Sequence, residues 1–300
     1  FGRKVAWLIR KIHASGAAVI LLVAAASPPA APGSLGDGVR EFDALDDGAW
    51  QANVCWAKGY LWEFSRKSWY LYQRSPSSGK VLGKIYLPSQ EVCGVTWNSK
   101  RETWFITEAW DEFQSLDVLE IPEGGGDYIS GFEPSNYGGD SGICYDAELD
   151  RLWITNNHAG KEYVGRFKAD GTRDWKVTLS ERERVMSIAR AGDDLWIGDM
   201  IGEDADQYGL ICKYTLSGKD TGVSFLLPGY RVPLSLGYDG RYLWAYGCGY
   251  ARDKDNMIYQ IDIEGEPGPD PDPTPPPATA EVEIIDYDGD GLSEPAVYRP

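Results

Sequence analysis

The chain is short of the side chains that bind soft metals or phosphate. Its 300 residues hold 2 His and 5 Cys. No Cys-x-x-Cys pair occurs and His158 is the one histidine beyond the first 26 residues, so the sequence argues against a zinc site built from His and Cys. Basic residues are scarce as well: 29 Lys and Arg face 46 Asp and Glu, a net charge of −17. Nucleic acid is therefore a poor partner, because phosphate binding needs clustered Lys and Arg. An acidic surface keeps an exported protein soluble and favours cations or basic partners.

Long hydrophobic runs are missing too. The pronounced apolar stretch, Gly16 to Val23, follows Arg3, Lys4, Arg10 and Lys11 and precedes Ala24-Ala25-Ala26. It is about ten residues long, too short for a hydrocarbon core of about 30 Å. Residues 1–26 read as a signal peptide with its cut at Ala26/Ser27, the competing reading being an uncleaved anchor. The expected location is secreted or at the cell surface, with no membrane span after signal cleavage. Phe1 in place of an initiator Met points to a sequence clipped at its start. The five cysteines beyond the signal, Cys55, Cys93, Cys144, Cys212 and Cys248, are odd in number, which leaves at least one thiol unpaired. Cys55, Cys93 and Cys144 fall on predicted inner strands, where a pair near the axis is geometrically open. Burial as small apolar groups is the expectation for most of the five.

What the chain does have is a tryptophan repeat. Trp62, Trp104, Trp153, Trp196 and Trp244 are separated by 42, 49, 43 and 48 residues. Each follows an apolar run and a turn, as in Ile143-Cys144-Tyr145-Asp146 then Leu152-Trp153-Ile154. Third runs follow at 69–73, 116–121, 163–168, 210–214 and 257–263, and several end in turns such as Ala169-Asp170-Gly171 before a fourth. Four strands in about 45 residues is the signature of a propeller blade, which must stack on neighbours to bury both faces. Residues 36–265 have room for five blades, so the expected fold is an all-β, five-bladed propeller. The last repeat lacks a fourth strand after Ile263, which assigns Val39 to Leu45 to closing the ring and removing an exposed sheet edge. The tryptophans are expected to pack between blades rather than touch ligand.

Residues 266–280 alternate Pro with acidic residues and read as a semi-rigid spacer. Residues 281–300 follow, with Asp286, Asp288, Asp290 and Glu294 at loop positions one, three, five and nine and the Leu292 carbonyl at seven. Such oxygens can converge on a hard cation, Ca2+ in preference to magnesium. This stretch, ending Ala296-Val297-Tyr298-Arg299-Pro300, resembles the FG-GAP (VCBS-type) repeat of integrin-like propellers and bacterial secreted proteins. The resemblance covers about fifteen residues, departs at Glu294 where the family usually has Asp, and implies calcium binding and a larger multidomain chain.

On a propeller, the loops from second to third strand and those between blades open on one face. Here they are the long, variable ones, and loops on a rigid scaffold are where binding usually lives. Trp110, His158, Tyr208, Tyr250 and Arg252 are the expected ligand-binding residues. The expected function is a secreted, non-catalytic recognition or adhesion module for an extracellular sugar, peptide or protein ligand. The alternative is an extracytoplasmic propeller enzyme of the glycoside hydrolase or glutaminyl cyclase type, using loop-face carboxylates.

Overall fold

The computed structural model describes residues 35–45, 53–89, 91–110, 115–134, 141–156, 163–179, 182, 184–202, 208–249 and 256–264. Within them the chain forms five four-stranded antiparallel sheets, the five blades expected from the tryptophan spacing. Blade one is β2 (Asn53–Ala57), β3 (Tyr60–Ser65), β4 (Tyr70–Arg74) and β5 (Val81–Tyr86). Blade two is β6 (Val92–Asn98), β7 (Thr103–Trp110), β8 (Ser115–Pro122) and β9 (Ser130–Phe132). Blade three is β10 (Ile143–Asp146), β11 (Arg151–Asn156), β12 (Tyr163–Phe167) and β13 (Arg173–Thr178). Blade four is β14 (Val185–Ala191), β15 (Asp194–Ile201), β16 (Tyr208–Thr215) and β17 (Asp220–Leu226). Blade five takes β18 (Val232–Tyr238), β19 (Tyr242–Cys248) and β20 (Met257–Asp262) from its own repeat and its outer strand from β1 (Gly38–Asp43). β1 pairs antiparallel with β20, Phe42 opposite Ile258, as the missing fourth strand required.

First and second strands are the most buried, the fourth the least. Five apolar clusters fill the five gaps in turn. Trp62 and Phe64 meet Val95 and Trp104 between blades one and two, and Phe105 meets Ile143 and Ile154 between two and three. Trp153 meets Ile188 and Leu195 next, Trp196 meets Leu236 and Leu243 after that, and Trp244 meets Val54 and Leu61 where the ring shuts. All five anchor tryptophans are buried.

One feature departs from the even repeat. Cys55, Cys144, Ala189 and Gly237 lie opposite Trp62, Trp153, Trp196 and Trp244, but in blade two Thr96 lies opposite Phe105 and Trp97 opposite Trp104. Adjacent strand residues point to opposite faces. Phe105 therefore takes the place of the other anchors, and Trp104 turns back towards blade one, its ring centroid 4.8 Å from that of Trp62.

The rim repeats as well. Gly79, Gly171 and Gly218, in turns from third to fourth strand, have φ of 69°, 84° and 81°. A Cβ there would come within 2.6, 2.7 and 2.6 Å of Phe42, Phe132 and Val177 on the outer strand of the preceding blade. Gly125 meets Tyr86 and Gly36 meets Phe225 in the same way, so glycine is required twice over, by conformation and by close approach. Nearer the axis, polar side chains cross the gaps: Asn53 Nδ2 donates to the Val92 carbonyl at 2.9 Å, Thr107 Oγ1 to Ser141 at 2.6 Å, Ser187 Oγ to Pro233 at 2.7 Å and Ser235 Oγ to Val54 at 2.9 Å.

All five cysteines are buried and none is in a disulfide, so the pair near the axis that spacing left open is not formed. Burial pushes the Cys212 thiol up to about 12 and raises those of Cys55 and Cys144 further. No helix among the described residues is long and apolar enough to cross a membrane. The expected signal peptide, spacer and calcium loop lie outside the described residues.

Candidate functional site

The loop face can be built from strand ends. Trp110 is the last residue of β7, opposite Ser115 at the start of β8, and Tyr208 opens β16 opposite Ile201. Both backbones stand where second strands hand over to third strands, and the Tyr208 side chain is half-buried. His158, Tyr250, Arg252 and the predicted calcium ligands Asp286, Asp288, Asp290, Leu292 and Glu294 lie outside the described residues.

The carboxylates described near this face are committed to the frame. Glu63, buried on β3, is ion-paired to Arg74, and its Oε1 accepts the Leu45 amide at 2.7 Å. Arg74 in turn donates to the Gly79 carbonyl at 2.7 Å and the Asp43 carbonyl at 3.0 Å. This buried pair thus ties blade one to the end of the closing strand, while Phe42 of that strand stacks on Trp244 at 6.2 Å. Glu108 accepts the Ser89 hydroxyl. Asp199 accepts the Arg184 amide at 2.9 Å and lies 4.0 Å from Arg182 Nη1. Arg182 also holds Asp220 and the Tyr214 hydroxyl, each at 2.5 Å. Burial pushes that phenol up to about 12, against the opposing pull of the guanidinium.

Blade one offers something different, a shelf of half-exposed aromatic rings. Tyr70 pairs with Tyr86 and Tyr72 with Lys84 across β4 and β5, so all four side chains share one sheet face. Leu71 and Ile85, on the opposite face, pack towards blade two. Ring centroids of Tyr70 lie 6.1 Å from Tyr72 and 6.0 Å from Tyr86, and Trp69 stacks on Tyr86 at 6.4 Å. Trp69 has a φ of 63°, a left-handed conformation that is uncommon for a bulky residue and costs of order 1–3 kcal/mol. Two backbone bonds hold it there, its amide to the Ser65 carbonyl and the Leu87 amide to its own carbonyl, both at 2.9 Å. The alternating aromatics of Trp69 to Tyr72 were readable as a strand; their exposure depends on how far blade five covers that face, which no local pattern encodes.

Two carboxylates do occupy matching places in different blades, but at the turns from first to second strand, on the opposite face. Asp146 Oδ2 accepts the Trp153 indole N–H at 3.1 Å and Asp239 Oδ2 that of Trp244 at 2.8 Å. They serve the anchors.

No protein-family model matches the chain, and no curated protein matches it in sequence. Solved structures are similar in fold. The Myxococcus xanthus glutaminyl cyclase shares 12% identity with a TM-score of 0.52, over 76% of this chain and 97% of that one. A chain of the nidogen/laminin complex shares 13% identity with a TM-score of 0.43, over 65% of this chain and 71% of that one. At 12% identity the likeness to the cyclase is one of fold alone.

Proposed function

We propose that the propeller is a non-catalytic recognition or adhesion module, exported from the cell, which holds an extracellular sugar, peptide or protein ligand on its loop face. The observation that carries this reading is the contrast between committed acids and free rings. Glu63, Glu108 and Asp199 are each engaged by fixed donors of the frame, whereas Trp69, Tyr70, Tyr72 and Tyr86 present partly exposed ring surface. Aromatic side chains on a rigid frame are typical anchors of recognition. The Asp286 to Glu294 loop enters the proposal as a calcium-binding part on the hardness of its oxygen donors.

Two measurements test it. Trp110→Ala with Tyr250→Ala should keep the melting temperature and weaken capture of ligands on a glycan or protein array. Incubation with a peptide bearing an N-terminal glutamine should release no ammonia. Sustained ammonia release with turnover would overturn the non-catalytic reading in favour of a cyclase.

A further inference from the structure

The acidity of this chain is unevenly spread. Residues 53–89, all of blade one with its exit, contain Lys58, Arg66, Lys67, Arg74, Lys80 and Lys84 against the single acid Glu63, a net charge of +5 in a chain of −17. Four of those cations are spoken for: Lys58 is paired with Glu123, Arg66 with Glu91 and Arg74 with Glu63, and Lys67 is engaged as well. Among the described residues Lys80 and Lys84 have no carboxylate partner. Lys84 lies over the Tyr70 ring, its Nζ 4.2 Å from the centroid, in the middle of the aromatic shelf. Tyr86 is 40% exposed, and Val81 and Leu82 on the same strand are 45% and 48% exposed.

We infer that this shelf binds an anionic polysaccharide carrying uronic acids. The inference rests on the recognition reading and names its ligand class. A pyranose ring has apolar C–H faces that stack on aromatic rings and a rim of hydroxyls that hydrogen-bonds phenols. The Tyr70, Tyr72 and Tyr86 rings, set about one another at 58° and 70°, supply both. The carboxylate of a uronate supplies the charge that Lys84 and Lys80 lack, and a local surplus of positive charge in a chain of net negative charge steers an anion to this blade. The Trp69 backbone, held left-handed, fixes the position of the ring that backs Tyr86. An acidic peptide would satisfy the lysines but leave the ring faces without a matching partner. The observations therefore favour the sugar.

Calorimetry on the 300-residue chain tests the assignment with three probes. Polygalacturonate carries ring and charge, its methyl ester keeps the ring without the charge, and poly-glutamate keeps the charge without the ring. Polygalacturonate should bind, the other two more weakly, and added salt should weaken the binding. Lys84→Glu and Tyr86→Ala should each reduce affinity by about tenfold or more while the melting temperature stays at the wild-type value. Poly-glutamate binding as well as polygalacturonate, affinity unchanged in both variants, or no uptake at millimolar sugar would each overturn it. The two readings fail separately. A partner lost with Trp110→Ala and Tyr250→Ala but kept with Lys84→Glu and Tyr86→Ala sinks the shelf and leaves recognition standing. Ammonia release alongside intact polygalacturonate binding sinks the non-catalytic reading and leaves the shelf.

Discussion

Blade two and blade five fill the same wedge of the ring with different pairs of residues. In blade five the anchor is Trp244, and its indole N–H ends on Asp239 Oδ2 while Oδ1 caps the turn, accepting the Arg241 and Tyr242 amides at 2.8 and 2.7 Å. In blade two the anchor is Phe105, which has no N–H to give, and the turn residue is Asn98. Its Oδ1 caps the same turn, accepting the Lys100 and Arg101 amides at 3.0 and 3.1 Å. Its Nδ2 is buried without a partner. An aspartate there would bury a charge short of one donor, and a buried charge is worse than a buried amide. In blades three and five the anchor and the turn residue thus act as one unit, tryptophan with aspartate, and blade two answers with phenylalanine and asparagine. In blade one the Trp62 indole N–H goes instead to the Ala57 carbonyl. Blade two places its buried carboxylates elsewhere, Glu108 on the second strand and Glu120 on the third.

The largest expected effect comes from removing the stronger unit. Trp244→Ala should cost about 4 kcal/mol in urea unfolding, the usual price of deleting a buried aromatic. Trp244 is fully buried, and it is stacked by Phe42 of the closing strand at 6.2 Å and by Trp56 at 6.1 Å. The loss should therefore loosen β1 as well, seen as faster hydrogen exchange at Phe42 than at Phe225, the rim aromatic of blade four. Equal exchange at both would mean that the anchor does not hold the closure.

Glu120 comes next, and pH tests it. It accepts Arg101 Nε at 2.6 Å, Arg101 Nη2 at 2.9 Å, Thr103 at 2.8 Å and Ser130 at 2.7 Å. Burial would raise its carboxyl, but Arg101, Ser130 and Thr103 together hold it below the ordinary value. A depressed folded value means stability that is fully present above the unfolded carboxylate range and lost as pH falls through the folded one. Glu120→Gln should lower stability by about 2 kcal/mol at neutral pH, and the gap from wild type should close on acidification. A gap that is constant with pH would show that the arginine pair contributes nothing through charge.

Blade number and ring closure were legible because a blade buries both faces only against neighbours, which forces large side chains to recur, and because blade five ran one strand short after Ile263. The register of blade two was not legible. Trp104 and Phe105 are adjacent and both large, and the choice of face is made by pairing Trp97 with Trp104 rather than by either residue. The Glu63–Arg74 clasp was hidden too, since its other partners, Asp43 at the end of the closing strand and Leu45 just past it, meet it only in the folded ring. At the candidate site the sequence put Trp110 and Tyr208 in the loops between second and third strands, and the structure puts their backbones on the strand ends that flank those loops. It missed the blade-one shelf because exposure on that face is a property of how two blades splay.

The smallest effect tests the unit itself. Trp244→Phe leaves the Asp239 carboxylate without its indole donor, and Asp239→Asn turns an amide N–H towards the indole N–H. Each change alone leaves a half-buried polar group without its partner. Together they recreate the blade-two pair of Phe105 and Asn98, in which one amide donor goes unmatched but no charge does. The double substitution should therefore cost less than the two singles added, by about 1 kcal/mol, as expected for residues in contact. Blade five is the cleaner place for this cycle than blade three, because Asp146 also holds Arg190 across a blade boundary and any change there would disturb a second pair. Strict additivity in urea unfolding would mean that tryptophan with aspartate and phenylalanine with asparagine are independent choices, and that the unmatched Nδ2 of Asn98 has another cause.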